Sequence, residues 1–458
     1  MTAAAARPGV KTAVWGVAVA LALIAAAIAI PALTGWNVHV NSFPPLHAEW
    51  APRLGPGTAL AVLLGVAGVI WGPRLAASLS WGRMLLLAFA ASALWLFALA
   101  TVDGLDGIGE ILDHRYEYLG TARQVDDVGE TLREYVERIP FAHPDNWPVH
   151  IAGHPPGALL FFVVLVRLGL GSGLAAGSVV LLLGASSIVA VLITVRTLAG
   201  GSLARRAAPF LVFTPAAIWI AVSGDGMFMT VAAWGMCALA LATRTRSVRL
   251  IGWSIVAGLL LGYCVMLSYG LPLLGVLAVA VLIAGRSWAP LPIAAVVALG
   301  VVGTFALNGF LWWEAFPVLQ QRYWDGIASR RPSEYWLWGN IAAFCISAGP
   351  AVGAAAAAVG RWGVGARRSR TNSNPAAAAA RGMDARTVVL LLCAAGWLMI
   401  VMADASNMSR AEVERIWLPF VPWATLGLAL YSARVRRWLL TGQIVFAIVV
   451  QTLLQTGW

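Results

Sequence analysis

Long runs of uncharged, apolar residues recur from one end of this 458-residue chain to the other. A helix needs about 20 such residues to cross the hydrocarbon core of a bilayer. The composition agrees, because 60% of the residues are hydrophobic and only 11% are charged, against about 25% charged in soluble domains. The sequence therefore predicts an all-α polytopic membrane protein. It excludes a soluble enzyme, a secreted disulfide scaffold and a nucleic-acid-binding domain, despite the net charge of +11.

The apolar runs predict about 13 transmembrane helices within a single domain that covers residues 1–458. The four cysteines all fall inside these runs, so we interpret them as core residues and not as ligands or disulfide partners. The predicted spans lie at 13–34, 58–73, 84–102, 174–195, 207–223, 226–243, 250–268, 270–285, 289–310, 338–360, 387–403, 416–432 and 438–456.

The charges between these runs predict the orientation of the chain in a plasma membrane. The positive-inside rule places the N-terminus in the cytoplasm and the C-terminus outside. This arrangement puts 20 of the 31 basic residues on the cytoplasmic side and 19 of the 20 acids outside. The segment 155–170 is also apolar, and counting it as a span would invert every later loop. Its 16 residues and Pro-Pro start favour an interfacial helix on the outer surface.

Two long loops differ in character. The external segment 103–173 carries 11 of the 20 acids, and apolar residues at helical spacing predict an amphipathic juxtamembrane helix over about 124–139. The segment 361–386 is basic and of low complexity, which predicts a disordered cytoplasmic loop near anionic lipid.

The start of the acidic external loop is the first candidate for chemistry. Asp103, Asp106 and Asp113 follow a predicted membrane exit within about a dozen residues. A carboxylate there can act as general base toward an acceptor hydroxyl, or hold Mg²⁺ or Mn²⁺ beside a phosphate. The alternative is an acidic loop that only caps helices and contacts solvent.

Histidines and a lone aspartate form the next candidates. His150 and His154 precede a rigid Pro-Pro turn, and a histidine can donate to a phosphate or move a proton near neutral pH. Asp225 lies between two glycines at a predicted membrane exit, where it could orient an acceptor or a cation. The alternatives are a helix start at the prolines and an ordinary turn at Asp225.

Arginines supply the predicted phosphate-binding groups on the external side. Arg322, Arg410 and Arg415 lie in predicted external loops, and a guanidinium binds phosphate as a fork. The alternative for the last two is pairing with neighbouring acids on an exposed helical turn.

This layout resembles the C-type glycosyltransferases, multi-pass enzymes that use polyprenyl-phosphate sugars and that include actinobacterial mannosyl- and arabinosyltransferases. Four segments carry the resemblance, which covers roughly residues 84–243 and 404–430: Asp113–Tyr116 (DHRY), His154–Pro156 (HPP), Ser223–Asp225 (SGD) and Glu412–Pro422 (EVERIWLPFVP). The chain departs from the family pattern in two ways. One additional span precedes the acidic loop, and His114 stands where the family often has a second acid.

The resemblance implies transfer of a sugar, mannose or a pentose such as arabinose, from a polyprenyl-phosphate donor to a hydroxyl of a lipid-linked or glycan acceptor of the cell envelope. It implies Asp113 as the base, with Asp106 and Asp103 as reserves. His150, His154 and the three arginines would bind the donor phosphate. The alternative function is a lipid or glycolipid transporter. Coupled transporters usually place ionisable residues near the midplane of their spans, whereas the predicted spans here lack Asp, Glu, Lys and Arg in their middles.

Overall fold

The computed structural model describes residues 8–40, 43–370 and 383–457. Apart from one pair of short strands, the elements of these residues are helices. In chain order the α-helices are α1 (Val10–Thr34), α2 (Pro56–Ile70), α3 (Gly72–Ser78), α4 (Trp81–Ala100), α5 (Asp106–Gly109), α6 (Tyr118–Ala122), α7 (Val128–Glu134), α8 (Val149–Ala152), α9 (Pro156–Arg167), α10 (Gly173–Ala199), α11 (Gly201–Val212), α12 (Ala217–Ile220), α13 (Gly224–Thr243), α14 (Ser247–Leu267), α15 (Leu274–Gly285), α16 (Pro290–Leu307), α17 (Trp312–Asp325), α18 (Ser333–Ser347), α19 (Ala351–Arg370), α20 (Ala385–Ala405), α21 (Val413–Ile416), α22 (Val421–Ala424) and α23 (Ala433–Leu453).

The all-α membrane architecture agrees with the sequence, but the predicted count of 13 spanning helices is wrong. In the described part of the chain, seven helices are long and apolar enough to cross a membrane: α1, α4, α10, α13, α14, α16 and α20. Two bent pairs raise the number to nine if each is one span, α2 with α3 at 54° and α18 with α19 at 113°.

Local features of the sequence explain why some of the predicted spans are not spanning helices. The predicted spans 207–223, 270–285 and 416–432 fold into helices of 12 residues or fewer, since prolines interrupt these runs or precede their helices. The last predicted span falls on α23, which is long but carries the buried side chains of Gln443 and Gln451. Both donate to backbone carbonyls of neighbouring helices, which satisfies them inside the bundle.

Small residues set the packing of the long helices. Gly258 and Gly262 on α14 face Ala294 and Ala298 on α16, and a Cβ on either glycine would lie 2.6–2.8 Å from backbone atoms of those alanines. Close backbone approach of this kind is how helices associate in lipid, where burial of apolar surface gives no net drive.

Two predicted surface helices are shorter than expected. The helix predicted over 155–170 is α9, whose 12 residues rise about 18 Å, too little to cross a hydrocarbon core of about 30 Å. The helix predicted over 124–139 forms only as α7. The residues that follow α7, Tyr135 and Ile139, are fully buried, so this segment packs against protein.

The predicted disordered loop begins as a helix, because α19 continues to Arg370. Residues 371–382 lie outside the described residues, and the rest of that prediction stays untested there.

A short strand after α1 pairs with a short strand after α23. Strand β1 (Ala48–Trp50), which follows α1, pairs antiparallel with β2 (Leu454–Thr456), so that Glu49 lies opposite Gln455. The segments after α1 and after α23 therefore lie at the same end of the bundle.

Candidate functional site

Loops that are far apart in sequence meet at this end of the bundle. Arg53 pairs with Asp103 and donates to the Leu454 carbonyl at 2.8 Å. His47 Nε2 lies 3.8 Å from a carboxylate oxygen of Glu412. Asp103 and Glu412 thus lie at this end of the bundle, and Glu412 belongs to a buried ionisable network.

Arg415 is the centre of this network. Its guanidinium donates to Asp225 Oδ2 at 2.6 Å, to His150 Nε2 at 2.9 Å and to Glu412 Oε2 at 3.2 Å. The side chains of Arg415 and Asp225 are only 4% and 3% exposed, whereas that of Glu412 is 26% exposed. Arg415 and His150 are 265 positions apart in the sequence, so tertiary folding alone assembles the group.

His150 extends the network to Glu117. Its Nδ1 lies 2.9 Å from Glu117 Oε1, and both side chains are about 5% exposed. Because arginine only donates, His150 Nε2 is the acceptor, and the proton of the neutral ring is on Nδ1, facing the carboxylate. Glu117 Oε2 is buried without a hydrogen-bond partner among the described residues. Glu117 therefore orients an imidazole that contacts a fixed guanidinium.

Two helices position Asp225 and Arg415. Ser223 caps α13, since its hydroxyl accepts from the Gly226 N–H at 3.1 Å, and Asp225 follows in the first turn, where the helix dipole favours a negative charge. Arg415 lies on α21, and the Ser347 hydroxyl donates to the neighbouring Glu414 carbonyl at 2.6 Å, which fixes that short helix.

The HPP segment stands next to the network. His154 Nδ1 donates to the His150 carbonyl at 2.8 Å and lies 2.8 Å from the Tyr118 hydroxyl. The Tyr135 hydroxyl donates to the carbonyls of Ile151 and His154. These bonds hold the turn before α9, and they leave His154 buried among aromatic rings.

Burial and charge shift the protonation of these groups. Burial lowers the pKa of His154 and of His47 below the usual value near 6.5. Burial alone would raise the pKa of Glu117 and Glu412, but contact with His150 lowers the pKa of Glu117, and the charge of Arg415 lowers that of Glu412, both below the ordinary glutamate range. The network therefore holds Glu117 and Glu412 ionised and His154 neutral at pH 7.

The Glu412 side of the network is partly exposed. Glu412 has a left-handed backbone, with φ of 63°, which turns its carboxylate toward His47 and Arg415. Beside it, Arg331 Nη2 lies 2.6 Å from His47 Nε2. Glu412 is the most exposed acid in direct contact with Arg415.

The predicted catalytic aspartates lie outside this network of contacts. Asp113 pairs with Arg123 at 2.5 Å, and both side chains are about 40% exposed. Asp103 pairs with Arg53, and Asp106 is exposed at the start of α5. Exposed pairs of this kind contribute about 0–1 kcal/mol, so the carboxylate of Asp113 is readily released from Arg123.

Two predicted phosphate-binding arginines hold the protein's own carbonyls. Arg322 is 6% exposed and donates to the carbonyls of Ile139 and Trp147, which ties α17 to the long loop. Arg410 donates to Asn407 Oδ1 at 2.9 Å and to the carbonyl of Ala328 at 3.2 Å. Both guanidiniums use several of their donors within the protein, and their phosphate-binding role stays a prediction.

The structure joins four of the predicted site residues, Asp225, His150, His154 and Arg415, and adds others that were not among them. Glu117 and Glu412 contact the predicted set directly, and Tyr118 contacts His154. Glu117 was hidden among the many acids of its loop, and only its position just after the DHRY segment could have singled it out.

The predicted divalent cation stays a prediction, because the network offers it no ready set of ligands. Asp225, the predicted cation ligand, directs Oδ2 at Arg415. In the described ranges, 8–40, 43–370 and 383–457, no group of three or more His, Cys, Asp or Glu side chains is placed to hold a metal ion.

The chain matches no model of a known protein family, and no curated protein shows significant similarity to it.

Proposed function

We propose that this protein is a membrane glycosyltransferase that moves a sugar, mannose or a pentose, from a polyprenyl-phosphate donor to a hydroxyl of an envelope lipid or glycan. The observation that carries the proposal is the buried contact of Arg415 with Asp225 and His150, beside the long acidic loop. All three residues lie on segments that resemble, or adjoin, the motifs of the C-type glycosyltransferases.

The position of the network favours a transferase over a coupled transporter. Asp225, His150 and Arg415 meet at the end of the bundle, next to loops, while coupled transporters place such groups near the midplane. A reaction site at a membrane surface suits a donor whose headgroup is polar and whose tail is in lipid.

The reaction needs a cation for the leaving phosphate. As the acceptor oxygen bonds to the anomeric carbon, the bond from that carbon to the phosphate oxygen breaks and the phosphate leaves with the electron pair. A preorganised guanidinium stabilises that charge. Of the three contacts of Arg415, the one with Glu412 is the longest and the most exposed, so we assign this position to the incoming phosphate.

The acceptor hydroxyl needs a carboxylate that can reach it and take its proton. Asp113 is accessible and held only by an exposed pair with Arg123, whereas Asp225 and Glu117 are buried. Asp113 remains the first candidate for the base. Glu412, once displaced from Arg415 by the phosphate, is its rival.

The experiment uses the purified protein with radiolabelled polyprenyl-phosphate sugars and lipid extraction of the products. Asp113→Asn should lower transfer roughly 10²- to 10⁴-fold, the usual contribution of a general base, without weakening donor binding. Glu110→Gln is the matched control, because Glu110 is an exposed acid of the same loop, and it should transfer normally.

Each outcome has a defined meaning. Full transfer by Asp113→Asn, with loss in Glu412→Gln, would move the base to Glu412. Full transfer by each of the three single variants, Asp113→Asn, Glu412→Gln and Arg415→Gln, would refute the site. Absence of transfer by the unmodified protein with every polyprenyl-phosphate sugar would refute the function.

A further inference from the structure

The opposite end of the bundle contains a basic cavity. It has a volume of about 650 Å³ and lies between the start of α3, the start of α11 and the start of α23. Its lining includes five arginines and none of the acids that the structure describes: Arg74, Arg205, Arg206, Arg436 and Arg437. Five guanidiniums in a lining without a carboxylate create a positive potential that attracts an anion.

The backbone adds to this attraction. Helices α11 and α23 both begin at the cavity, with Gly201 and Ala433 in its wall, and neither helix start has a side-chain cap. Their first N–H groups are therefore available to an anion. Arg205 also donates to the Ala76 carbonyl, which anchors one guanidinium at the wall.

An apolar groove adjoins the cavity. It has a volume of about 240 Å³ and lies between α2, α3, α4 and α11. Pro209 lines both spaces, and α3 separates them, with Leu75 facing the groove and Arg74 facing the cavity. Trp71 and Leu75 are 53% and 39% exposed, so the groove opens toward the side of the bundle, where lipid lies.

We propose that these two spaces form a binding site for an acidic phospholipid, with the phosphate headgroup among the arginines and one acyl chain in the groove. The arginines match the charge of the headgroup, and the neighbouring groove matches the tail. The break between α2 and α3 creates this pairing of a charged and an apolar compartment, because it turns Pro73, Arg74 and Ala77 toward the cavity. The site is independent of the reaction proposed above.

The test measures lipid binding by native mass spectrometry and thermal unfolding, in nanodiscs of phosphatidylcholine with and without cardiolipin or phosphatidylglycerol. Arg74→Gln/Arg206→Gln removes two cavity charges. Near a membrane surface each basic residue is worth about a factor of five in affinity, so acidic lipid should bind roughly thirtyfold more weakly. The matched control is Arg246→Gln/Arg249→Gln, which removes the same charge from exposed positions at the same end and should bind normally.

A third variant tests the groove. Ala90 is exposed in its wall, and Ala90→Trp should weaken the binding of acidic phospholipid while leaving that of a short-chain glycerol phosphate unchanged. Equal binding by the arginine variant and its control would overturn the proposal. Equal thermal stabilisation by phosphatidylcholine would also overturn it. Inorganic phosphate that binds as tightly as the lipid would overturn it too, because the cavity would then be a site for a soluble anion.

Discussion

Removing the charge of Arg415 should destabilise the protein strongly. In Arg415→Gln, the buried carboxylate of Asp225 loses its 2.6 Å partner, and Glu412 loses the cation that keeps its pKa low. Breaking a buried pair by removing one partner costs about 3–5 kcal/mol, most of which is the penalty for the charge left behind. We expect that loss in the free energy of unfolding, measured by steric trapping in bicelles.

A double-mutant cycle separates the charge from the packing. Asp225→Asn alone should cost a similar amount, since it leaves Arg415 with less compensation. The double variant Arg415→Gln/Asp225→Asn should be more stable than the sum of the two losses predicts, by about 2 kcal/mol or more. Arg434→Gln, at an exposed position, is the control and should stay within about 0.5 kcal/mol of the unmodified protein. A loss below about 1 kcal/mol in Arg415→Gln, or strict additivity, would refute the buried network.

Three further predictions follow from the fold. The free energy of unfolding should fall as the pH drops from 7 to 5, because the folded state keeps His154 neutral while the unfolded state binds a proton below about 6.5. The dependence can reach about 1.4 kcal/mol per pH unit. His154→Asn should flatten the curve of unfolding free energy against pH, and an unchanged slope would contradict this. Gly262→Leu should cost about 1–3 kcal/mol by forcing α14 from α16, while Gly252→Leu on the same helix, where a Cβ would meet nothing within 4 Å, should be neutral in the same unfolding assay. A cysteine at Ser172 should react with a membrane-impermeant thiol reagent in intact cells and one at Ser202 should not; the reverse result would invert the orientation.

The charge pattern predicted which residues share an end of the bundle, and it did so for a simple reason. Transfer of charged loops across a membrane is restricted, so the alternation of basic and acidic loops records their sides. Asp225, His150 and Arg415 were all assigned to the external side on that basis alone. Their contacts in the structure agree with a shared end.

The sequence does not predict which side chains at that end contact each other. Exposed and buried acids look identical in a loop that holds 11 of them, and only tertiary packing decides which lose their water. Asp113 was favoured by its position in a motif, but it pairs with Arg123 near the surface. Glu117, four residues later, is buried against His150.

The number of spanning helices was overestimated for a related reason. Hydropathy measures the apolar character of a window, whereas a continuous helix also requires uninterrupted backbone hydrogen bonds. The run 416–432 is apolar throughout, yet Pro419 and Pro422 divide it into short helices. These are buried by their neighbours, which is where irregular backbone is tolerated at membrane depth.

The electrostatics of the network limit how an anionic donor can bind. Asp225 and Glu412 contact the guanidinium of Arg415 directly, and Glu117 is joined to it through His150. Acidic groups therefore outnumber the single guanidinium among these contacts, and a phosphate would be repelled. Binding becomes favourable only if a carboxylate leaves Arg415 as the phosphate arrives. Asp225 and Glu117 are enclosed, and Glu412 alone of the three has a quarter of its side chain exposed. In the proposed transferase, the exchange of Glu412 for phosphate is therefore the step on which donor recognition would depend. Glu412→Gln, which removes the competing charge but keeps the shape, should bind the donor more tightly than the unmodified protein.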